Sequence, residues 1–482
     1  MSGSPVNNTL TRDRARLVVV SNRIPRQTAL DAEGRRTVAV GGLVSALQAA
    51  LEEHGGLWLG WSGETVGQGR TSSPEVVQAG PFQIASLDLP KTDSNLFYNV
   101  FSNRTLWPLL HGFPEKAVIR HDAYRAYSRI NQRYAEGLFP LLNSGDLVWV
   151  QDYHLIPLGS ELRKLGWEGK IGFFLHTPFP PQELFSIMPW AHSLLESFLA
   201  YDLAGFHSSR YAVNLLDSLS HELGGQVSGD TYRRNGSSLV VRAVPIGINP
   251  EAFRELGAQG MSSAAARSIW RLAPHQRIIL GVDRLDYTKG ITQRLVAFEY
   301  LLEHYPSVRG QVTMVQISAP SRSRVPEYVE ERQQVDQIAG RINGRFTEAG
   351  WTPIQYLYRS YPQAELAAFY RAADVCLVTP LRDGMNLIAK EFVVSQGDDP
   401  GVLVLSKFCG AAETMKEALL VNPYDIRGTA DAMHQALRMG RRERLHRWSS
   451  LVQGVESFTA DDWRNTFLSE LVGRYEPAIA AD

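Results

Sequence analysis

Two cations stand five residues apart in Asp283-Arg284-Leu285-Asp286-Tyr287-Thr288-Lys289-Gly290, directly after the apolar run Arg277 to Val282. Arginine offers a planar fork of donors and lysine a mobile point charge. Together Arg284 and Lys289 could neutralise a diphosphate, each charge-assisted hydrogen bond contributing about 1.5–3 kcal/mol. An arginine placed here could equally be spent on a salt bridge to Asp283 or Asp286. The order Thr288-Lys289-Gly290 is not a phosphate-binding Walker loop, which needs Gly-Lys-Ser/Thr after a longer glycine-started loop. A second candidate is Thr379-Pro380-Leu381-Arg382-Asp383-Gly384-Met385-Asn386-Leu387, followed by a helical pattern that carries Lys390 and Glu391. Glycine at a strand-to-helix turn lets backbone amides approach a ligand, and the helix N-terminus adds a positive dipole, which suits nucleotide-sugar phosphates. Glu391, about one turn into that helix, could accept hydrogen bonds from the hydroxyls of a ribose. A lone helical glutamate is ordinarily just solvated, and Asp383 has the competing role of helix cap.

The first half offers Ser21-Asn22-Arg23 after its first strand and Gly41-Gly42-Leu43 at the start of an amphipathic helix. An anion could again be met there by arginine and amides, with Pro25 to Val40 between them reading as a polar flexible loop. Gln151-Asp152-Tyr153-His154 and His176-Thr177-Pro178-Phe179-Pro180 each follow a strongly apolar strand. They would project Asp152 and His176 toward one cleft; a single buried histidine is more often structural than catalytic, but two such strand ends pointing into one cleft tilt the balance toward catalysis, which makes His176 and Asp152 catalytic candidates beside Arg284 and Lys289. Aromatic and polar residues are dense from Phe97 to Pro108, a composition that can hold a sugar on aromatic faces and is otherwise core packing. The sequence has no Asp-x-Asp pair and no His-Glu-x-x-His motif. Charge on a departing diphosphate would have to be met by Arg, Lys and backbone amides.

The elements that must position these residues are legible as short Val/Leu/Ile runs alternating with longer amphipathic segments, the pattern of an α/β protein with parallel sheets covered by helices. Strands are expected at Leu17 to Ser21, Leu57 to Trp61, Leu147 to Gln151, Ile171 to His176, Leu203 to His207 and Leu239 to Pro245. A second set is expected at Arg277 to Val282, Gln311 to Ser318, Ile354 to Tyr358, Val375 to Thr379, Val402 to Ser406 and Ala418 to Asn422. Pro245-Ile246-Gly247-Ile248-Asn249-Pro250 punctuates the two sets, dividing the chain into domains 1–247 and 248–456. A last apolar-periodic segment, about Trp463 to Tyr475 within residues 457–482, could pack back on the first domain. Ligands of open parallel sheets bind beyond the C-terminal strand ends, which is where Ser21 to Arg23, Gln151 to His154, His176 to Pro180, Asp283 to Gly290 and Thr379 to Leu387 lie.

Length and composition agree with this organisation. A chain of 482 residues exceeds one ordinary hydrophobic core, and 44% hydrophobic with 21% charged residues is a globular composition. With 49 Lys+Arg against 50 Asp+Glu the formal net charge is -1, so no overall charge draws the chain to nucleic acid or an acidic membrane, and any anion site must be local. Cys376 and Cys409 lie in apolar contexts suited to a reducing compartment. The polar N-terminal residues and the absence of any run near the ~20 apolar residues of a membrane span point to a cytoplasmic protein.

Val20-Ser21-Asn22-Arg23, Gly41-Gly42-Leu43, Trp58-Leu59-Gly60-Trp61-Ser62-Gly63, the Phe97 to Pro108 stretch, Asp152-Tyr153-His154, His176 to Pro180, Arg284-Leu285-Asp286-Tyr287 and Asp383 to Leu387 occur in an order and spacing that resembles the trehalose-6-phosphate synthase family over about residues 16 to 475. The resemblance implies a GT-B fold of two Rossmann-like domains. It also implies transfer of glucose from a nucleotide diphosphate donor, usually UDP-glucose with GDP-glucose the alternative, to glucose 6-phosphate with retention, and no metal or other cofactor. On it, Arg284 and Lys289 bind the donor diphosphate, Glu391 the ribose, Asp383, Gly384, Met385, Asn386 and Leu387 the donor glucose and phosphates, and Gly42 lies near the donor phosphate. Arg23, Tyr98, Trp107 and Arg322 match positions that grip the acceptor phosphate, Trp61 and Asp152 lie around its sugar, and His176 sits between the substrates. A homo-oligomer, dimer or tetramer, is the family habit. Two other readings stay open: a non-catalytic sugar-phosphate sensor, and a related retaining transferase or pseudo-glycosyltransferase with another acceptor. Arg23 and Arg322 speak for an anionic acceptor.

Overall fold

Leu17 to Val20 and Val148 to Val150 are at most 1% exposed, as expected of strands with helices on both faces. In the computed structural model, residues 15–24, 27–30, 36–38, 42–67, 73–260 and 276–473 are described. Ten strands form the first sheet, in the edge-to-edge order Gln226–Ser228, Thr231–Arg234, Ser237–Ala243, Leu203–Phe206, Ile171–Phe174, Leu147–Gln151, Leu17–Arg23, Gly56–Val66, Phe82–Pro90 and Glu75–Ala79. The seven from Ser237–Ala243 to Phe82–Pro90 run parallel, and an antiparallel strand or hairpin closes each edge. The second sheet has six parallel strands: Ile354–Leu357, Val312–Ala319, Arg277–Arg284, Val375–Val378, Val402–Ser406 and Leu419–Val421.

Numbered along the chain, the second sheet has the order 3-2-1-4-5-6, the doubly wound Rossmann order. The parallel core of the first sheet begins 3-2-1-4 in the same sense. Each sheet therefore has one point where the winding reverses, between Leu17–Arg23 and Leu147–Gln151 in the first and between Arg277–Arg284 and Val375–Val378 in the second. Crossover loops leave in opposite directions there and open a crevice.

All twelve expected strands are present, most with ends shifted by one to three residues. The loop reading of Pro25 to Val40 needs correction. Gln27–Leu30 and Arg36–Val38 pair as antiparallel strands, their Thr and Val suiting a pleated ribbon that the surrounding charged residues obscured. The remaining residues of that segment, and Gly41, lie outside the described residues.

The two halves are joined twice. The chain crosses after Ala243 and returns to the first sheet at the helix Ala460–Val472, which begins beside the first crossing: Ala460 N donates to Ile248 O at 3.0 Å. A Cβ on Gly247 would stand 2.3 Å from the Thr459 carbonyl carbon, so only glycine lets the two crossings lie this close. The returning helix docks by its aromatics: Trp463 meets the Trp149 ring at a centroid distance of 4.9 Å, and Phe467 stacks on Trp149 at 4.8 Å.

Candidate active site

At the first reversal point Arg23 leaves its strand and lays its guanidinium over the Trp61 ring, 4.1 Å from the centroid, and 5.5 Å from that of Tyr98. Tyr98 is delivered by a twelve-residue π-helical stretch, Asn95–Leu106, a rare conformation that proteins concentrate at functional sites. These residues line a cavity of about 850 Å³ with Lys91, Arg322 and Arg324. Among the described residues four cations and no carboxylate line it, and Arg23, Lys91 and Arg324 have no ion pair. Such a pocket attracts an anion and offers aromatic faces beside it.

Asp152 follows Leu147–Gln151 with φ 71° and ψ 167°, a region that costs a non-glycine residue about 1–3 kcal/mol and is kept where the surroundings enforce it. Its Oδ1 accepts the His176 backbone N–H at 3.2 Å. Burial pushes its carboxyl up to about 6, offset in part by backbone hydrogen bonds and the charges of Arg322 and Arg284. His176 is held by both ring nitrogens: Nε2 faces Gln151 Oε1 at 2.9 Å and Nδ1 faces His207 Nε2 at 3.2 Å. Because the Ile246 N–H donates to His207 Nδ1, His207 carries its proton on Nε2 and gives it to His176 Nδ1, and His176 in turn donates from Nε2 to Gln151. Burial holds the His176 imidazole down at about 3, hence neutral. With both nitrogens engaged, the ring is no free base; the part it can play is to fix the backbone at the cleft floor.

The second reversal point carries the donor-side candidates. Arg284 is exposed and has no ion pair among the described residues, with its guanidinium 5.7 Å from the Trp107 ring centroid. The salt bridge considered for it goes elsewhere: Asp283 binds buried Arg294 at 2.6 Å and Asp286 binds Arg322 at 3.3 Å. Lys289 Nζ pairs with Asp383 Oδ2 at 2.5 Å. Burial alone would raise the Asp383 carboxyl, but the charge and hydrogen bond of Lys289 outweigh it and hold it below its ordinary value. Asp383 does not cap the helix Leu387–Ser395, whose N-cap is Asn386. It accepts instead from Gly384 N and Asn386 Nδ2 and so knots the loop. Glu391 Oε2 accepts from the Tyr370 hydroxyl at 3.0 Å, and burial pushes its carboxyl up to about 7.

The two sets meet. Arg322, with φ 45°, reaches across to donate to the Tyr153 hydroxyl at 3.0 Å and lies 4.0 Å over the Trp107 ring, while Tyr328 hydrogen-bonds both Arg322 and Asp286. Met385 is buried in an apolar cluster that takes in residues of both halves. A Cβ on Gly384 would stand 1.9 Å from the His176 carbonyl oxygen, so the donor loop touches the opposite half through a backbone contact that only glycine permits. Gly42 opens the helix Gly42–His54, and its neighbours at 39–41 lie outside the described residues. Sequence reasoning missed His111: it is 2% exposed, donates from Nδ1 to Trp107 O at 2.8 Å, and feels Asp286, Asp383 and Lys289 of the other half. A lone histidine after Leu109-Leu110 gives no signal. Gln151 and His207 were visible as strand-end residues, but their pairing with His176 depends on cross-strand register. Among the described residues no group of three or more His, Cys, Asp or Glu is placed to hold a metal ion, and no helix is long and apolar enough to cross a membrane.

Two Rossmann-like halves with facing reversal points and a cation-rich cleft define a GT-B glycosyltransferase. The model of Glycosyltransferase family 20 matches residues 15–472, and the chain belongs to that family. Among its relatives, the trehalose-6-phosphate synthase of Sinorhizobium fredii is 41% identical over 460 residues, 95% of this chain and 98% of that one. A UDP-forming alpha,alpha-trehalose-phosphate synthase from Burkholderia xenovorans, solved with glucose-6-phosphate, superposes with a TM-score of 0.89 at 39% identity, covering 95% of this chain and 100% of that one. The Escherichia coli protein bound with UDP-2-fluoro glucose gives 0.89 at 39% identity over 95% and 99%.

Proposed function

We propose that the chain transfers glucose from UDP-glucose to glucose 6-phosphate with retention, forming α,α-trehalose 6-phosphate and UDP. The observation that carries this reading is the cavity with aromatic walls that, among the described residues, is lined by four cations and no carboxylate, which suits a phosphorylated sugar and gives a non-phosphorylated acceptor little reason to bind. The Burkholderia xenovorans relative binding glucose-6-phosphate and the Escherichia coli relative binding UDP-2-fluoro glucose support the same pair of substrates.

In this reading domain 1–247 holds the acceptor and 248–456 the donor. Arg23, Tyr98, Trp107 and Arg322 meet the acceptor phosphate, with Trp61 and Asp152 around its sugar. Arg284 and Lys289 take the donor diphosphate, Asp383 to Leu387 the donor glucose, Glu391 the ribose, and Gly42 sits near the donor phosphate. The acceptor hydroxyl attacks on the face from which the diphosphate departs, and a leaving phosphate oxygen takes its proton. No enzyme nucleophile is called for. The protein's part is electrostatic: Arg284 and Lys289 stabilise the charge that develops on the diphosphate in a dry site, and Asp152 and the His176 backbone hold the sugars in register. Arg322 joins the halves, so acceptor binding and closure are coupled. Two free, buried cysteines agree with a cytoplasmic location. The dimer or tetramer expected of the family is checked by sedimentation velocity.

The test is nucleoside diphosphate release from UDP-glucose and, separately, from GDP-glucose, with and without glucose 6-phosphate and with EDTA throughout, the sugar product being defined by mass and NMR. Acceptor-dependent release with an α,α-1,1 linkage is expected. Tight binding of both ligands without turnover would replace the enzyme reading by a sensor.

A further inference from the structure

A second pocket, of about 170 Å³, lies between the halves and shares no residue with the cleft described above. Arg210 and Tyr211 reach it from the first half, and Arg382, Lys407 and Lys416 from the second. None of these four cations has an ion pair among the described residues. Among the described residues Glu413 is the one carboxylate in the lining, and its Oε1 accepts from the Ser208 hydroxyl at 2.5 Å, across the interface. The inner wall is the back of the donor loop: the Tyr211 hydroxyl donates to Asp383 O at 2.9 Å, Cys409 bridges Asp383, and Gly410 N donates to Gly384 O at 3.2 Å.

We propose that this pocket binds a small phosphate-bearing anion, orthophosphate or a short phosphate ester, and that its occupancy favours the closed enzyme. Four cations against the single carboxylate of Glu413 leave a net positive charge in the lining, and part of the repulsion among them acts between the halves, because Arg210 belongs to one and the other three to the second. An anion that touches both sides removes the repulsion only when the halves are together, and a ligand with differential affinity for the closed form shifts the population toward it. The volume is below the roughly 300 Å³ at which pockets begin to take drug-sized ligands, which favours a phosphate group over a whole nucleotide. Since the pocket backs onto Asp383 and Gly384, the effect is read at the donor side, and to that extent the inference rests on the proposed role of that loop.

The experiment uses the full chain, radiolabelled orthophosphate and equilibrium dialysis. Lys407 and Lys416 are exposed and outside the cleft, so Lys407→Gln/Lys416→Gln should fold and keep its phosphate-free kcat and KM. The wild type is expected to bind two phosphates per chain, one in each pocket. The double variant should lose one of them, weakened roughly tenfold or more, whereas Arg23→Ala should lose the other and Lys407→Arg/Lys416→Arg neither. With saturating glucose 6-phosphate, orthophosphate should lower the donor KM of the wild type several-fold and leave that of the Gln variant unchanged. Displacement of the second phosphate by glucose 1-phosphate would assign the site to an ester, and its persistence to free orthophosphate. Equal phosphate binding by the wild type and the Gln variant would overturn the proposal. So would binding of an oligonucleotide in place of orthophosphate. The dialysis stands even if no sugar transfer occurs, so it separates failure of this site from failure of the catalytic reading.

Discussion

The acceptor-side cations of the cleft and the donor-side Lys289 are stored in different ways, while the donor-side Arg284 is exposed and, among the described residues, unpaired like the acceptor set. Arg23, Lys91 and Arg324 face their cavity without ion pairs among the described residues, Arg23 resting on the aromatic faces of Trp61 and Tyr98. Lys289 is instead tied to Asp383 in a nearly buried pair, and Arg322, which serves both sides, to Asp286. Unpaired cations bind an arriving anion with little rearrangement. A paired lysine has first to loosen from its carboxylate, which couples donor binding to the conformation of the loop Asp383 to Leu387. The acceptor pocket is thus built for recognition, and the Lys289–Asp383 loop of the donor side for a change of state.

The comparison can be broken most strongly at the Lys289–Asp383 pair. Removing one partner of a buried pair leaves an uncompensated charge at a cost of about 3–5 kcal/mol. Lys289→Ala should therefore lower the unfolding free energy by several kcal/mol in chemical denaturation, and adding Asp383→Ala should recover most of it. If the single variant is as stable as the wild type, the pair is not a stored contact. Next comes the glycine contact between the halves. Gly384→Ala puts a methyl against the His176 carbonyl, and overpacking of this kind costs about 1–3 kcal/mol, or five- to 150-fold in kcat/KM. Scattering in the presence of both ligands should show the variant more open; an unchanged profile with full activity would remove closure through this contact.

A smaller effect sharpens the donor side through pH. Hydroxyl donors stabilise an ionised Glu391 and not a protonated one, so donor affinity should fall as pH drops through about 7, where its carboxyl stands. The donor KM should rise several-fold between pH 8 and pH 6 in the wild type and stay flat in Glu391→Gln. The acceptor is unsuited to this test because its own phosphate titrates near pH 6. Smallest of all is the pair Arg104–Glu327, which spans the halves with both partners partly exposed. Arg104→Ala should cost about 0.2–1 kcal/mol and fade with salt. A loss beyond tenfold in kcat/KM would make that outer contact part of the machinery.

The sequence showed the central strands because each is a short run of buried Val, Leu and Ile bounded by turn residues, and the site followed because ligands gather at the ends of such strands. Gln226–Ser228 and Glu75–Ala79 escaped: these edge strands are largely solvated, and they are too short for an alternation to stand out. The π-helical stretch Asn95–Leu106 was legible only as a crowd of aromatics, since a period wider than 3.6 residues leaves no familiar pattern. The His207–His176–Gln151 chain stayed hidden for another reason, as three adjacent strand ends become neighbours only once register is set. Resemblance identified Arg322, but not that it sits at positive φ between Tyr153 and Asp286.

The most direct test of phosphate recognition by unpaired cations is the ratio of kcat/KM for glucose 6-phosphate to that for glucose, measured in the wild type and in Arg23→Ala with UDP-glucose saturating. The ratio should be large in the wild type and fall roughly ten- to 150-fold in the variant, the loss of one charge-assisted contact, with the donor KM little changed. A ratio that Arg23→Ala leaves intact, or a donor KM that rises as steeply as the acceptor KM, would contradict it.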